Sequence, residues 1–455
     1  MSDDEAPALT WYEAGRVASP ERPRLNFDLD VDVCVIGGGL AGLTTAREVA
    51  RRGWSVAVLE AGRIAWAASG RNTGFVLPGF GAHIGDIVER VGLDHAIRLW
   101  SLSEQGLDYV RRTVEEGELP GVDLTPGWLH VSKTDNDREV LADIERLRWI
   151  GADVEYWPAE RVRAELANPR YFNAAHFRRA FHINPLNYAV GLAALAEQAG
   201  ARIFEDSPAV EIDPAGVRKR IATPGGRVRA GQVVLAGNVQ LGDLMPRLSA
   251  TLLPITTFVM VTEPLGPQLD EVIRWRGAVS DTNRADNHYR IVHGPGPGER
   301  RLQWSGRMRA WEMDERWFRR GLIADIRRNF PALGRVEAAY LWSGTLGRTV
   351  HRMPQIGEIE SGLWVASGFG GHGLNTTAMG GELIARGIVE NDQTWRLFAP
   401  YELVWAGGRL GRALAQSIYW GTRPLERLAQ ARARKAERAR ARRQVRLARR
   451  AAAVQ

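Results

Sequence analysis

The segment from Val31 to Glu60 constrains the chain more than any other, because it places an apolar strand, a glycine-rich turn, a helical run and a second apolar strand in succession. Val31, Val33, Val35 and Ile36 have the character of a buried strand, and Gly37, Gly39 and Gly42 follow in Gly-x-Gly-x-x-Gly spacing. Bare backbone there can approach a pyrophosphate at the N-terminus of the next helix, where N–H groups and the helix dipole favour an anion. Glu60 ends the second strand 23 positions after Gly37, where a carboxylate accepts hydrogen bonds from ribose hydroxyls. The glycines alone are a weak signal. With strand, helix, second strand and terminal acid in place, they define a dinucleotide-binding βαβ unit.

At 455 residues, with 45% apolar and 25% charged side chains, the chain is long enough for two or three globular domains. No run of about 18 uncharged apolar residues marks a membrane span. Met1 to Pro7 is acidic and lacks an apolar core, so the expected location is cytoplasmic. The formal charge of +7 comes from the tail: Arg427 to Gln455 holds eleven arginines and lysines against one acid, Glu437, and the body is mildly acidic. That distribution argues against specific nucleic-acid binding and leaves weak contact of the tail with an anionic surface. Cys34, the only cysteine, falls inside the first strand and reads as a small buried apolar side chain. His, Cys, Asp and Glu show no zinc-type spacing, so no metal is expected.

Further along, Ile84, Ile87, Val88 and Val91 repeat at helical spacing. Thr125 to Ser132 predicts a strand, and 135–151 and 158–167 predict surface helices. A helix is predicted from Tyr188 to Ala199 and an apolar parallel-type strand over 228–237. Ile255 to Glu263 alternates like an antiparallel strand, and the Gly294 to Gly298 turn separates strands at Tyr289 and Leu302. Leu363 to Ser367 is the last clear strand, with a helix expected from about Ala378 to Glu390. The fold class is therefore α/β. One nucleotide-binding domain is assembled from 28–100, 176–245 and 343–400, and a mixed or antiparallel sheet domain from 101–175 and 246–342 covers its reactive end. A helical segment, 401–426, and an exposed basic tail, 427–455, complete the chain.

The order of these motifs resembles the FAD-dependent amine and D-amino acid oxidase superfamily, most closely its γ-glutamylputrescine oxidase type. The resemblance rests on Ala68-Ser-Gly-Arg-Asn72, His182-Ile-Asn-Pro-Leu-Asn187, Ser207-Pro-Ala-Val-Glu211, Val234-Leu-Ala-Gly-Asn238, Thr262-Glu-Pro-Leu-Gly266, Tyr289-Arg290, Arg352-Met-Pro-Gln355 and Gly371-His-Gly373. It implies a Rossmann-like domain of the glutathione-reductase type, binding FAD. By resemblance, Gly37, Gly39, Leu40, Ala41, Gly42, Glu60, Ala61 and Arg63 hold the adenosine diphosphate part, Val210 meets the adenine by backbone, and Ala236 with Gly237 lines the pyrophosphate crevice. Ser69, Gly70, Arg71 and Asn72 pass close to the isoalloxazine. Gly368, Gly371, Gly373, Leu374, Asn375 and Thr376 turn into a helix whose N–H groups face the flavin N1 and C2 carbonyl, where negative charge builds on reduction. Cys34 precedes the phosphate turn and 65–72 holds no histidine, so the FAD is expected to be noncovalent.

The resemblance implies oxidation of a primary or secondary amine, such as an amino acid, an N-methyl amino acid or a polyamine derivative. The product is an imine that hydrolyses to a carbonyl compound, and O2 re-oxidises the flavin to give H2O2. His372 is expected to offer a donor or positive charge at the flavin. His288, Tyr289 and Arg290 lie on a strand facing it, where alternation lets His288 and Arg290, or Tyr289 alone, point inward. Arg290 is the candidate clamp for a substrate carboxylate. Two rival readings remain: a quinone-linked dehydrogenase held at a membrane surface by Leu403 to Trp420, and a non-catalytic flavin-binding protein docking an anionic partner through the basic tail.

Overall fold

The strands read from continuous apolar runs and those read from alternation separate into two sheets in the computed structural model, which describes residues 9–282, 287–310 and 315–452. The acidic Met1 to Pro7 and the tail end at 453–455 lie outside the described residues. In the first sheet, Leu29–Ile36 pairs in parallel with Val56–Leu59 on one side and with Gly226–Leu235 on the other. Leu363–Ser367 and Arg202–Phe204 extend this parallel core. Gln355–Glu360 closes one edge antiparallel, and Lys219–Thr223 branches antiparallel from Gly226–Leu235. Val33, Cys34 and Val35 are fully buried, because helices cover one face of the sheet and the branch covers the other.

Helices Leu40–Arg51 and Gly373–Glu390 pack on that sheet, and Leu93–Glu116 packs on Gly373–Glu390. Their approach is close: a Cβ on Gly106 would lie 2.1 Å from the Asn375 carbonyl oxygen, so the long helix needs glycine where it crosses the start of Gly373–Glu390. The predicted helix from Tyr188 begins earlier, at Pro185, because Asn184 Oδ1 accepts from the N–H groups of Leu186 and Asn187 and proline suits the first helical position. The predicted helix from Ala378 begins five residues earlier, at Gly373.

The second sheet runs Ala338–Arg348, Leu253–Thr262, Arg300–Arg309, His288–His293, Ala278–Asp281, Thr125–Val131, Ala174–His182, Phe75–Val76, with Val154–Trp157 paired to Ala174–His182. It is mixed, since Ala278–Asp281 is parallel to Thr125–Val131. One face is an apolar core with Glu315–Asn329, in which Phe258 stacks on Phe318 at 3.8 Å and Tyr289 on Trp304 at 4.6 Å. The boundaries drawn at 175/176 and 342/343 are corrected by this sheet: they cut Ala174–His182 and Ala338–Arg348, each a continuous strand of it. The boundary at 426 is corrected as well, because one helix runs from Gly408 to Ala452. Arg163 with Glu437 at 2.6 Å and Arg440 with Asp135 at 2.7 Å tie it to the body.

Candidate active site

The glycines of the first turn bring three backbones together. Gly37 adopts φ +113°, and a Cβ there would lie 2.8 Å from the Ala236 carbonyl and 2.9 Å from Gly237 N. A Cβ on Gly42 would lie 2.0 Å from Gly37 O, so the helix can sit against the turn only without a side chain. Gly39 caps the helix without a side-chain hydrogen bond of its own, and Leu40 N–H instead donates to Ser69 Oγ at 3.1 Å. Leu40 and Ala41 are buried behind it. The first turn of the helix therefore presents backbone N–H groups, as a phosphate site requires.

Glu60 is buried, with one carboxylate oxygen accepting from Gly38 N at 2.7 Å and the other from Gly62 N and Trp66 Nε1, both at 2.9 Å. These three bonds fix the carboxylate at the strand end, and of its about four acceptor sites one is left for a ribose hydroxyl. Ala61 and Arg63 are exposed beside it, and Arg63 lines a small cleft with Thr10, Glu13 and Arg16. Val210 fits its expected role only in part: it is exposed, and its N–H already donates to Ala222 O at 2.9 Å.

At the other end, Ser69, Gly70 and Arg71 belong to a single helical turn, Ala68–Arg71. Arg71 Nε donates to Ser343 O at 2.8 Å, and Asn72 Nδ2 closes the turn on Ser69 O at 2.8 Å. Gly368 and Gly370 have positive φ, and a Cβ built on Gly371 or Gly373 meets nothing within 4 Å. Open space thus lies before Gly373–Glu390, whose cap, His372, makes no side-chain capping bond. Leu374, Asn375 and Thr376 are buried, and Asn375 Nδ2 donates to Gly79 O and Ser103 O. Bare backbone at one uncapped helix start and open space at a second, on the same face of one sheet, fit an extended dinucleotide.

Strand register decides which catalytic candidates face this space. Ser280 pairs with both His130 and His288, and His288 with Ser305, so these four side chains form a polar row on the face opposite the apolar core. His130 Nδ1 lies 2.9 Å from Ser280 Oγ, and the His288 ring meets Phe75 at 5.5 Å. Tyr289 is corrected to a core residue: it points to the other face, fully buried, with its hydroxyl donating to Tyr171 Oη at 3.1 Å.

Arg290 shares the face of His288, yet the clamp assigned to it is corrected too. Nη1 donates to Ile183 O at 2.8 Å and lies 2.7 Å from His182 Nδ1, while Nη2 reaches Tyr12 Oη at 3.2 Å and Gln303 Oε1 at 3.3 Å. Only Nε is without a partner, and a bidentate grip needs two free donors on one edge. The His182 imidazole is held neutral, well below the ordinary histidine range, by burial and by the Arg290 charge.

His372 differs from expectation in charge. Burial, then the nearby imidazoles of His288, His130 and His83, lower its pKa to about 4, and burial lowers that of His130 to about 4. Both rings are neutral at neutral pH. His372 also bonds the Pro78 backbone, while its Nδ1 is shut from solvent without a partner. The ring is thereby assigned Nε2–H toward Pro78, with a bare acceptor at Nδ1 instead of a donor or a positive charge. His130, Ser280, Gln303 and Tyr12 were missed in the sequence. For His130 a signal existed, a polar residue on the opposite parity from Leu129 and Val131.

This arrangement defines a two-sheet dinucleotide-binding protein whose second sheet carries a polar row close to the space before Gly373–Glu390. Residues 32–386 match the FAD dependent oxidoreductase family, DAO, and the chain belongs to that family. It is 32% identical over 382 residues to the gamma-glutamylputrescine oxidoreductase of Escherichia coli, covering 82% of this chain and 87% of that protein. It is 29% identical over 423 residues to the probable oxidoreductase OrdL of Haemophilus influenzae, covering 90% and 95%. The solved glycine oxidase of Geobacillus kaustophilus superposes with a TM-score of 0.66 at 22% identity, over 83% of this chain and 99% of that one. The protein is accordingly an FAD-dependent enzyme of the amine or amino acid oxidoreductase family. No helix among the described residues is long and apolar enough to cross a membrane.

Cys34 is fully buried in its strand, and burial pushes its thiol up to about 12, so it stays a neutral thiol. Acid precipitation is therefore expected to release all of the FAD into the supernatant. Flavin fluorescence remaining with the pelleted polypeptide would show a covalent tether.

Proposed function

We propose that the enzyme oxidises a primary or secondary amine, bound as the neutral base, to an imine that water hydrolyses to a carbonyl product. The observation that carries this reading is the cluster of neutral imidazoles, His130 and His372, each lowered to about 4 chiefly by burial. Surroundings that disfavour an imidazolium disfavour an ammonium for the same reason. The amine nitrogen thus keeps the lone pair that imine formation needs. His372 Nδ1, a bare acceptor, can take a hydrogen bond from the amine N–H and hold the neighbouring C–H toward the cofactor. FAD held at the two helix starts would supply a hydride acceptor for that carbon and, with O2 as the terminal oxidant, would give H2O2; loss of the hydride equivalent leaves an iminium whose N–H proton passes to water as it hydrolyses to the carbonyl product. The first-turn N–H groups of Gly373–Glu390 supply the positive potential that such an electron acceptor needs.

With Nη1 and Nη2 of Arg290 engaged and only Nε free, the site favours an amine without an α-carboxylate, in keeping with the polyamine derivative in the name of the Escherichia coli relative. The test is an amine panel on the yellow protein under nitrogen. A monoalkylated diamine is expected to bleach the flavin faster than glycine or sarcosine, with peroxide appearing on admission of air. A panel in which no amine bleaches the flavin would overturn the reading. Bleaching without peroxide, relieved by a quinone, would overturn the assignment of O2.

A further inference from the structure

The helix Gly408–Ala452 turns its apolar side outward. Leu410, Leu414, Ile418, Leu425 and Leu428 fall within an arc of about 80° at 100° per residue. All are exposed, Leu410 by 79%, Leu414 by 63%, Leu425 by 65% and Leu428 by 55%. Trp405, just before the helix start, is exposed as well. The opposite side holds the helix to the body through polar groups: Gln416 is buried with Oε1 accepting from Ala310 N at 2.8 Å, Tyr419 is buried, and Glu437 meets Arg163. A surface helix normally does the reverse, so this stripe is shaped for something outside the chain. Further along the same outer arc stand Arg432, Lys435, Arg443 and Arg446, all exposed.

We infer that this helix is an interfacial anchor that seats the enzyme on an anionic lipid bilayer. The leucines and Ile418 enter the boundary between headgroups and acyl chains, and the cationic side chains that follow on the same arc lie over phosphate headgroups. The two halves of the arc together select this occupant. A nucleic acid would match the arginines and leave the leucines in water, and a second copy would bring its own cations against the same cationic half.

The test is co-sedimentation of the full-length holoenzyme with vesicles of phosphatidylcholine alone or mixed with equal phosphatidylglycerol. Binding to the mixed vesicles and little to phosphatidylcholine is expected. Leu414→Glu with Leu425→Glu should weaken it by about tenfold or more, the scale of keeping two leucines in water. Arg432→Glu with Lys435→Glu should weaken it by about tenfold. All variants should stay yellow with unchanged bleaching by amine, since these side chains are exposed and none belongs to the candidate site. Leucine variants that pellet like the wild type would overturn the inference, as would binding to an oligonucleotide in preference to vesicles. So would a protein that ignores vesicles and forms a dimer dispersed by the leucine changes.

Discussion

Gly39→Val is expected to give a folded but colourless protein. Gly39 has φ −82° and ψ −180°, extended backbone open to any residue, so the substitution carries no conformational strain. What it meets is local: a Cβ there would lie 2.8 Å from Ser69 Oγ, the group that accepts from Leu40 N–H at 3.1 Å. The serine can turn away, and the fold survives. The branched side chain then occupies the space directly before the helix start, where a pyrophosphate needs bare backbone. Gly42 is a poorer test, because its Cβ would strike Gly37 O at 2.0 Å and disturb the helix itself. Gly85→Ala is the matched control: it sits in helix Ile84–Val91 with nothing within 4 Å of the added methyl and should stay fully yellow. The ratio of flavin absorbance to polypeptide, with circular dichroism to confirm folding, reads the outcome. A folded Gly39→Val protein holding one FAD per chain would mean that the phosphates lie elsewhere.

The features legible in the sequence are those set by local periodicity. The turn at Gly37 and the acid at Glu60 were readable because steric need and spacing fix them within thirty residues of chain. The parity of His288 and Arg290 against Tyr289 was readable as an alternative, but not its direction, since either face of an apolar strand can be the buried one. The direction was settled by Glu315–Asn329, whose Phe318, Leu322 and Ile326 cover the Tyr289 side. Three features were hidden for a common reason, that they depend on partners far away in sequence. The helix start at Gly373 is fixed by packing on Leu93–Glu116, and the tail is drawn into one helix held by Arg163 and Asp135. The neutrality of His372 arises first from its burial and then from three other histidines brought near it by separate elements. A lone histidine in a sequence carries no information about such neighbours.

Arg290→Ala is expected to lower thermal stability markedly, and this separates a structural bolt from a substrate clamp. The guanidinium joins segments that meet only in the folded chain: Tyr12 from the N-terminal turn, Ile183 and His182 from the second sheet, and Gln303 from the neighbouring strand. Two effects oppose each other. The cation is buried and has no carboxylate partner among the described residues, so removing it relieves a desolvation cost. Truncation, however, orphans Ile183 O and His182 Nδ1 and opens a cavity. Tyr12 Oη and Gln303 Oε1 keep each other at 2.9 Å. Each unsatisfied buried acceptor costs about 1–3 kcal/mol, and deletion of a large buried side chain costs about 2–5 kcal/mol. The losses win, and a net loss of about 3 kcal/mol is expected on this scale. Thermal unfolding of the yellow protein should show it. The apparent KM should change equally for amines with and without a carboxylate, because the donors of Arg290 are already engaged. An unchanged melting temperature, with KM raised only for carboxylate-bearing amines, would restore Arg290 as the clamp and overturn the preference for substrates lacking an α-carboxylate.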